Sequence, residues 1–104
     1  MTISELGMYR GSTKYLRLEI RDKDDNMVTI DTSRLSLEIY RPDGSIMATY
    51  TSGFDPQPDG SVVRGLTIPS NEPTGIWRAV WNYTDVYGNT FVEETVFVVS
   101  NPER

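Results

Sequence analysis

An all-β sandwich of about seven antiparallel strands is predicted by three features of this sequence. Short runs alternate apolar and polar residues with a period of two. Turn chemistry interrupts those runs every 8 to 12 residues, and no stretch sustains an apolar stripe of helical period. At 104 residues, such a chain buries roughly 65% of its unfolded surface and supports one modest core. The domain boundaries that follow are residues 1–12 as an amino-terminal arm or edge strand, 13–100 as the sandwich, and 101–104 as a polar end.

The first clear strand runs from Lys14 to Arg21, with Leu16, Leu18 and Ile20 on one face and Arg17, Glu19 and Arg21 on the other. Asp22 to Asn26 turns the chain into a short strand, Met27 to Ile30. Arg34 to Arg41 repeats the alternation with Leu35, Leu37 and Ile39 inward. Pro42-Asp43-Gly44-Ser45 then closes a hairpin, because proline presets a negative φ and glycine accepts a positive one. The return strand, Ile46 to Thr51, places Ile46, Ala48 and Tyr50 on one face.

Ser52 to Gly60 is a loop by its prolines, glycines and aspartates. Ser61 to Ile68 resumes as a strand with Leu66 and Ile68 inward, and Gly65 marks a bulge or a close backbone approach. A crossing segment, Pro69 to Gly75, leads to the richest strand, Ile76 to Thr84. There Trp77, Ala79, Trp81 and Tyr83 share one face. Asp85 to Asn89 forms the last hairpin turn, and Thr90 to Val99 closes the fold. Seven strands at this spacing suit an immunoglobulin-like sandwich, with a small barrel as the runner-up.

Composition narrows the chemistry. The chain has no cysteine and no histidine, so disulfides, thiolate ligands, imidazole bases and His-ligated zinc are all excluded. Fifteen acidic residues against ten basic ones give a net charge of -5. Arg17 and Arg21 flank Glu19 and precede an acidic loop, which opposes binding to nucleic acid. The longest apolar runs, Val96 to Val99 and Ala79 to Trp81, are far shorter than the roughly 20 residues of a spanning helix, so no membrane insertion is expected. The segment after Met1 has no basic or apolar leader character, and synthesis in the cytoplasm without a signal peptide is the expectation.

Two constellations have the residue types for a site. Asp22, Asp24 and Asn26 match the opening of a calcium loop, but Met27 stands where the loop needs glycine and Ser33 where it needs a bidentate glutamate. They are weak metal candidates, and the loop reads first as a strand connection. The aromatic set Trp77, Trp81, Tyr83, Tyr87 and Phe91 has the rings of a sugar- or peptide-stacking platform. Alternation with Ala79 assigns Trp77 and Trp81 to the core. Tyr83, Tyr87 and Phe91, at or near the last hairpin, are the contact candidates. Neither a catalytic pair nor a cofactor site is expected.

The order of motifs adds a resemblance. An acidic Asp-Asn turn is followed by Arg41-Pro42-Asp43-Gly44, Leu66-Thr67-Ile68-Pro69 and Pro73-Thr74-Gly75-Ile76-Trp77-Arg78. Tyr83-Thr84-Asp85-Val86-Tyr87-Gly88-Asn89 and Glu94-Thr95-Val96-Phe97-Val98-Val99 come last. From Lys14 to Ser100 this order resembles the small immunoglobulin-like modules of phage tails and baseplates, and the macroglobulin-type domains of bacterial and archaeal surface proteins. The resemblance implies a non-enzymatic spacer or assembly part of a virion that contacts other structural proteins or itself. Its other implication is a carbohydrate-binding or adhesive module of a larger surface protein.

Overall fold

Trp77, Ala79, Trp81 and Tyr83 lie on one buried face of a ten-residue strand, and the fold is built around that face. The computed structural model describes residues 2–3 and 7–101, with burial for 7–101. In chain order the strands are β1 (Thr2–Ile3), β2 (Met8–Tyr9), β3 (Thr13–Leu18), β4 (Leu35–Tyr40), β5 (Ile46–Tyr50), β6 (Asp55–Pro56), β7 (Val62–Thr67), β8 (Gly75–Thr84) and β9 (Thr90–Ser100). A 3-10 turn, Thr32–Arg34, precedes β4.

The strands form two sheets. The larger is ordered β1-β9-β8-β4-β5, with β2 also on β9, and the smaller is ordered β3-β7-β6. The seven strands from β3 to β9 pair antiparallel. The two short amino-terminal segments run parallel to β9 along its outer edge, Thr2 opposite Thr95 and Met8 opposite Val99. This is an all-β, two-sheet sandwich. No helix of the described residues is long and apolar enough to cross a membrane.

The core follows from the alternation. Leu35, Leu37 and Ile39 on β4 and Trp77, Ala79, Trp81 and Tyr83 on β8 face Leu18 of β3 and Val62 and Leu66 of β7, with Phe97 and Val99 from β9. The Trp77 ring stacks on Phe97 at 6.5 Å between centroids, and its indole N–H donates to the Pro73 carbonyl at 3.1 Å. That bond satisfies the one polar atom of an otherwise apolar side chain.

Several features differ from the sequence expectation; the Ser52 to Gly60 segment, expected as a loop, contains β6, which pairs with β7 at Val62 and Val63. Met27 to Ile30 is not a strand: Met27 makes a single bridge with Arg21, and Ile30 is buried beside the turn that Asp31 caps. In β5 the register shifts between Ile39 and Tyr40, so Ile39 faces Ala48 while Tyr40 faces Ile46. Met47 is the extra residue of this bulge, which turns Ile46 to the outer face and away from Ala48 and Tyr50. At Gly65 the close approach is made by a ring: a Cβ there would lie 3.3 Å from the Tyr15 side chain directly across the ladder.

Gly75 starts β8 at a φ of +132°, and a Cβ on it would lie 3.1 Å from Pro42 Cγ. Both the backbone region and the space therefore demand glycine. Gly75→Ala is expected to lower stability by about 1–3 kcal/mol, read as a drop in the urea midpoint with an unchanged slope.

Candidate functional site

One end of the sandwich combines the β8–β9 hairpin with an opening between the sheets. The ladder between β8 and β9 is continuous from Gly75–Val99 to Thr84–Thr90. Its turn is fixed by Asp85. The Asp85 Oδ1 accepts from the Tyr87 N–H at 2.9 Å and the Asn89 N–H at 2.8 Å, while Oδ2 accepts from the Asn89 side-chain amide at 3.1 Å. Two backbone bonds, Asp85 N–H to the Asn89 carbonyl and Gly88 N–H to the Asp85 carbonyl, complete the turn. Arg34 Nη1 reaches the Asp85 carbonyl at 3.5 Å. Although the partly buried Asp85 carboxyl is penalised by desolvation, those donors hold its pKa below the ordinary value.

On this ordered tip, Val86 is 64% and Tyr87 is 87% exposed. The other two contact candidates are placed differently. Tyr83 is 4% exposed, because its parity along β8 is that of Trp81, and its hydroxyl accepts from the Asp31 N–H at 3.1 Å. It is a core residue and not part of an exposed patch. Phe91 is half-buried and stacks on Tyr83 at 6.1 Å, 29° between planes. With Trp77 and Trp81 buried as well, the aromatic set supplies one fully presented ring, Tyr87, and no flat platform.

Below the hairpin a cavity of about 350 Å³ opens between the sheets, lined on one side by Leu18 to Arg21 and on the other by Thr90 to Glu93, with Trp81 and Tyr83 at its floor. The Thr90 to Glu93 wall is an edge of β9, whereas the other wall is the end of β3 at Leu18 and the segment Glu19 to Arg21 that follows it. On the first wall, Glu19 is held between Arg17 at 2.8 Å and Arg21 at 2.5 Å. Those two guanidiniums, Arg21 foremost, lower its pKa, so it is an anion at neutral pH. Arg17 continues to Asp59 at 2.8 Å, and Asp59 also accepts from the Ser61 hydroxyl at 2.6 Å and the Ser61 N–H at 2.9 Å.

The Ser61 hydroxyl first, then the Ser61 N–H and Arg17, pull the Asp59 pKa down to about 2. A depressed carboxyl stabilises the fold above its unfolded value near 3.8 and loses that contribution as pH falls through about 2. Asp59→Asn should therefore remove part of the stability lost between pH 4 and pH 2. The check is an acid titration of the melting temperature, in which the variant's curve falls less steeply than the wild type's over that interval.

The weak metal candidates serve their own turn. Asp22 Oδ1 accepts from the Asp24 N–H at 2.9 Å and the Asn26 N–H at 3.0 Å, while Asp25 takes a φ of +64°. These are the self-bonded turns that Asp and Asn favour. Among the described residues no three acidic side chains stand together in a way that could hold a metal ion. The groove was not evident from the sequence, although Glu93 carried a signal: a charged residue occupies the inward parity of β9, directly across from Trp81.

No family model and no curated protein matches the chain. Among solved structures it is similar to CopC from Methylosinus trichosporium OB3b, with a TM-score of 0.60 and 16% identity over 94% of this chain and 87% of that one. It also aligns with a family 123 glycoside hydrolase from Clostridium perfringens over 90% of this chain and 20% of that one. There the TM-score is 0.38 and the identity 12%, and at that score the likeness carries no argument. The likeness to CopC is one of fold, an all-β sandwich of two sheets.

Proposed function

We propose that this chain is a non-enzymatic structural or assembly module, a component of a phage or prophage virion that works through protein-protein contacts. The observation that carries the reading is the β8–β9 hairpin, whose five-residue turn is bonded to itself and presents Val86 and Tyr87. A tip already ordered in the free protein loses little entropy on docking, and tyrosine is among the residues that dominate interface energies. The virion setting rests on the motif order from Lys14 to Ser100.

The test begins with particles purified from a culture that makes the protein. Mass spectrometry is expected to find the chain at a fixed number of copies per particle, and Tyr87→Ala to reduce its incorporation. The purified variant should keep its stability within about 0.5 kcal/mol, as an exposed substitution does. Absence from particles, together with a wild-type chain that stays monomeric and binds no particle protein, would contradict the proposal. Glycan-array binding abolished by Tyr87→Ala would favour the carbohydrate-binding, adhesive alternative.

A further inference from the structure

β9 is flanked on both sides only along its second half. β1 and β2 meet it at Thr95–Val96 and Val99–Ser100, whereas Thr90 to Glu93 have β8 on one side and, among the described residues, no strand on the other. The backbone groups that point away from β8 over those four residues are a template for another strand. The ladder behind them is regular, and the segment contains no proline and no bulge, so it lacks two common devices that blunt an edge. Directly beside this edge lies the cavity of about 350 Å³. Strand addition uses such a pair of features: main-chain hydrogen bonds supply affinity, and a pocket for alternate side chains supplies selectivity.

The charges around the cavity indicate what fits. Glu19 and Arg21 neutralise each other. Glu93, exposed and at the inward parity, has no cationic side chain within ion-pair distance among the described residues. An inward-pointing charge on an edge repels an apolar strand, and the same charge admits a strand that brings its opposite. A second copy of this chain would bring its own Glu93 to the same edge from a molecule of net charge -5, so like charges oppose self-pairing. Resting on the contact-module reading, we infer that Thr90 to Glu93 is a strand-addition site for an extended segment of a partner protein, with a basic side chain opposite Glu93 and an apolar side chain entering the cavity between Phe91 and Ile20.

The probe is a capped heptapeptide that alternates valine and threonine around a central lysine, added to the full chain up to its solubility limit. Amide shifts and hydrogen exchange should report binding at Thr90 to Glu93, and N-methylation of alternate peptide nitrogens should abolish it. A twin with central glutamate should bind about fivefold more weakly, the upper range for an exposed ion pair. Glu93→Lys should invert that order, and Glu93→Gln should level it, with both variants melting as the wild type does. Absence of binding, perturbations confined to other strands, indifference to N-methylation, or an order unchanged in Glu93→Lys would each overturn the inference. Incorporation into particles that is lost in Tyr87→Ala but retained in Glu93→Lys would also overturn it while leaving the contact-module reading in place.

Discussion

Trp77→Ala is expected to lower the unfolding free energy by about 3–5 kcal/mol, the range for deleting a buried aromatic ring. Trp77 is completely buried, stacks on Phe97 and donates to the Pro73 carbonyl, so the substitution opens a void and leaves a carbonyl unpaired at once. A domain of this size has a total stability of about 5–15 kcal/mol, so about a fifth or more of it goes with one side chain. Trp77→Phe keeps a phenyl ring in the core but loses the hydrogen bond and part of the indole's volume, so about 1–3 kcal/mol is expected. Urea unfolding of the two variants checks both values, and equal losses would show that a phenyl ring restores no packing at this site.

The second large effect is a contrast between two tyrosines four residues apart. Tyr83→Ala should cost about 3 kcal/mol or more, because its ring is buried against Phe91 and its hydroxyl takes the Asp31 N–H that would otherwise be unpaired. Tyr83→Phe isolates that single bond, for which about 1 kcal/mol is expected. Tyr87→Ala, on the exposed tip, should leave stability unchanged and, on the contact-module proposal, reduce incorporation into particles. Thermal melts of the three variants decide the matter, and a Tyr83→Ala variant as stable as Tyr87→Ala would return Tyr83 to the surface.

These residues also show why some features were legible in the sequence and others were not. Trp77, Ala79 and Trp81 share a parity, and large residues alternating with a small one suit the inner face of a sheet, which is where they lie. Tyr83 has the same parity, but its nearness to the hairpin suggested exposure. The ladder continues to Thr84–Thr90 and keeps it inside. Ile46 shares a parity with Ala48 and Tyr50, yet one extra residue in β5 reverses it, and a period-two reading has no means of placing a bulge. The groove depends on a non-local relation. Its walls are Leu18 to Arg21 and Thr90 to Glu93, about seventy residues apart in the chain, and alternation within a strand carries no record of which distant segment lies beside it.

A functional consequence follows from the uneven cover of β9 by β1 and β2. The hairpin tip and the open half of β9 lie at one end of the molecule, and the Arg17-Glu19-Arg21 network holds the opposing wall. On the contact-module proposal, a partner would meet the Tyr87 ring and a strand edge that no other strand covers among the described residues.

Residue-resolved native-state hydrogen exchange on the free, full-length chain tests that account most directly. Amides of Thr90 to Glu93 that point away from β8 should exchange close to the rate of an unstructured peptide, while those of Arg78 to Trp81, flanked by β4 and β9, exchange only on global unfolding. Protection of every amide from Thr90 to Glu93 at the level of β8 in the free monomer would mean that the edge is already occupied, and would contradict the account.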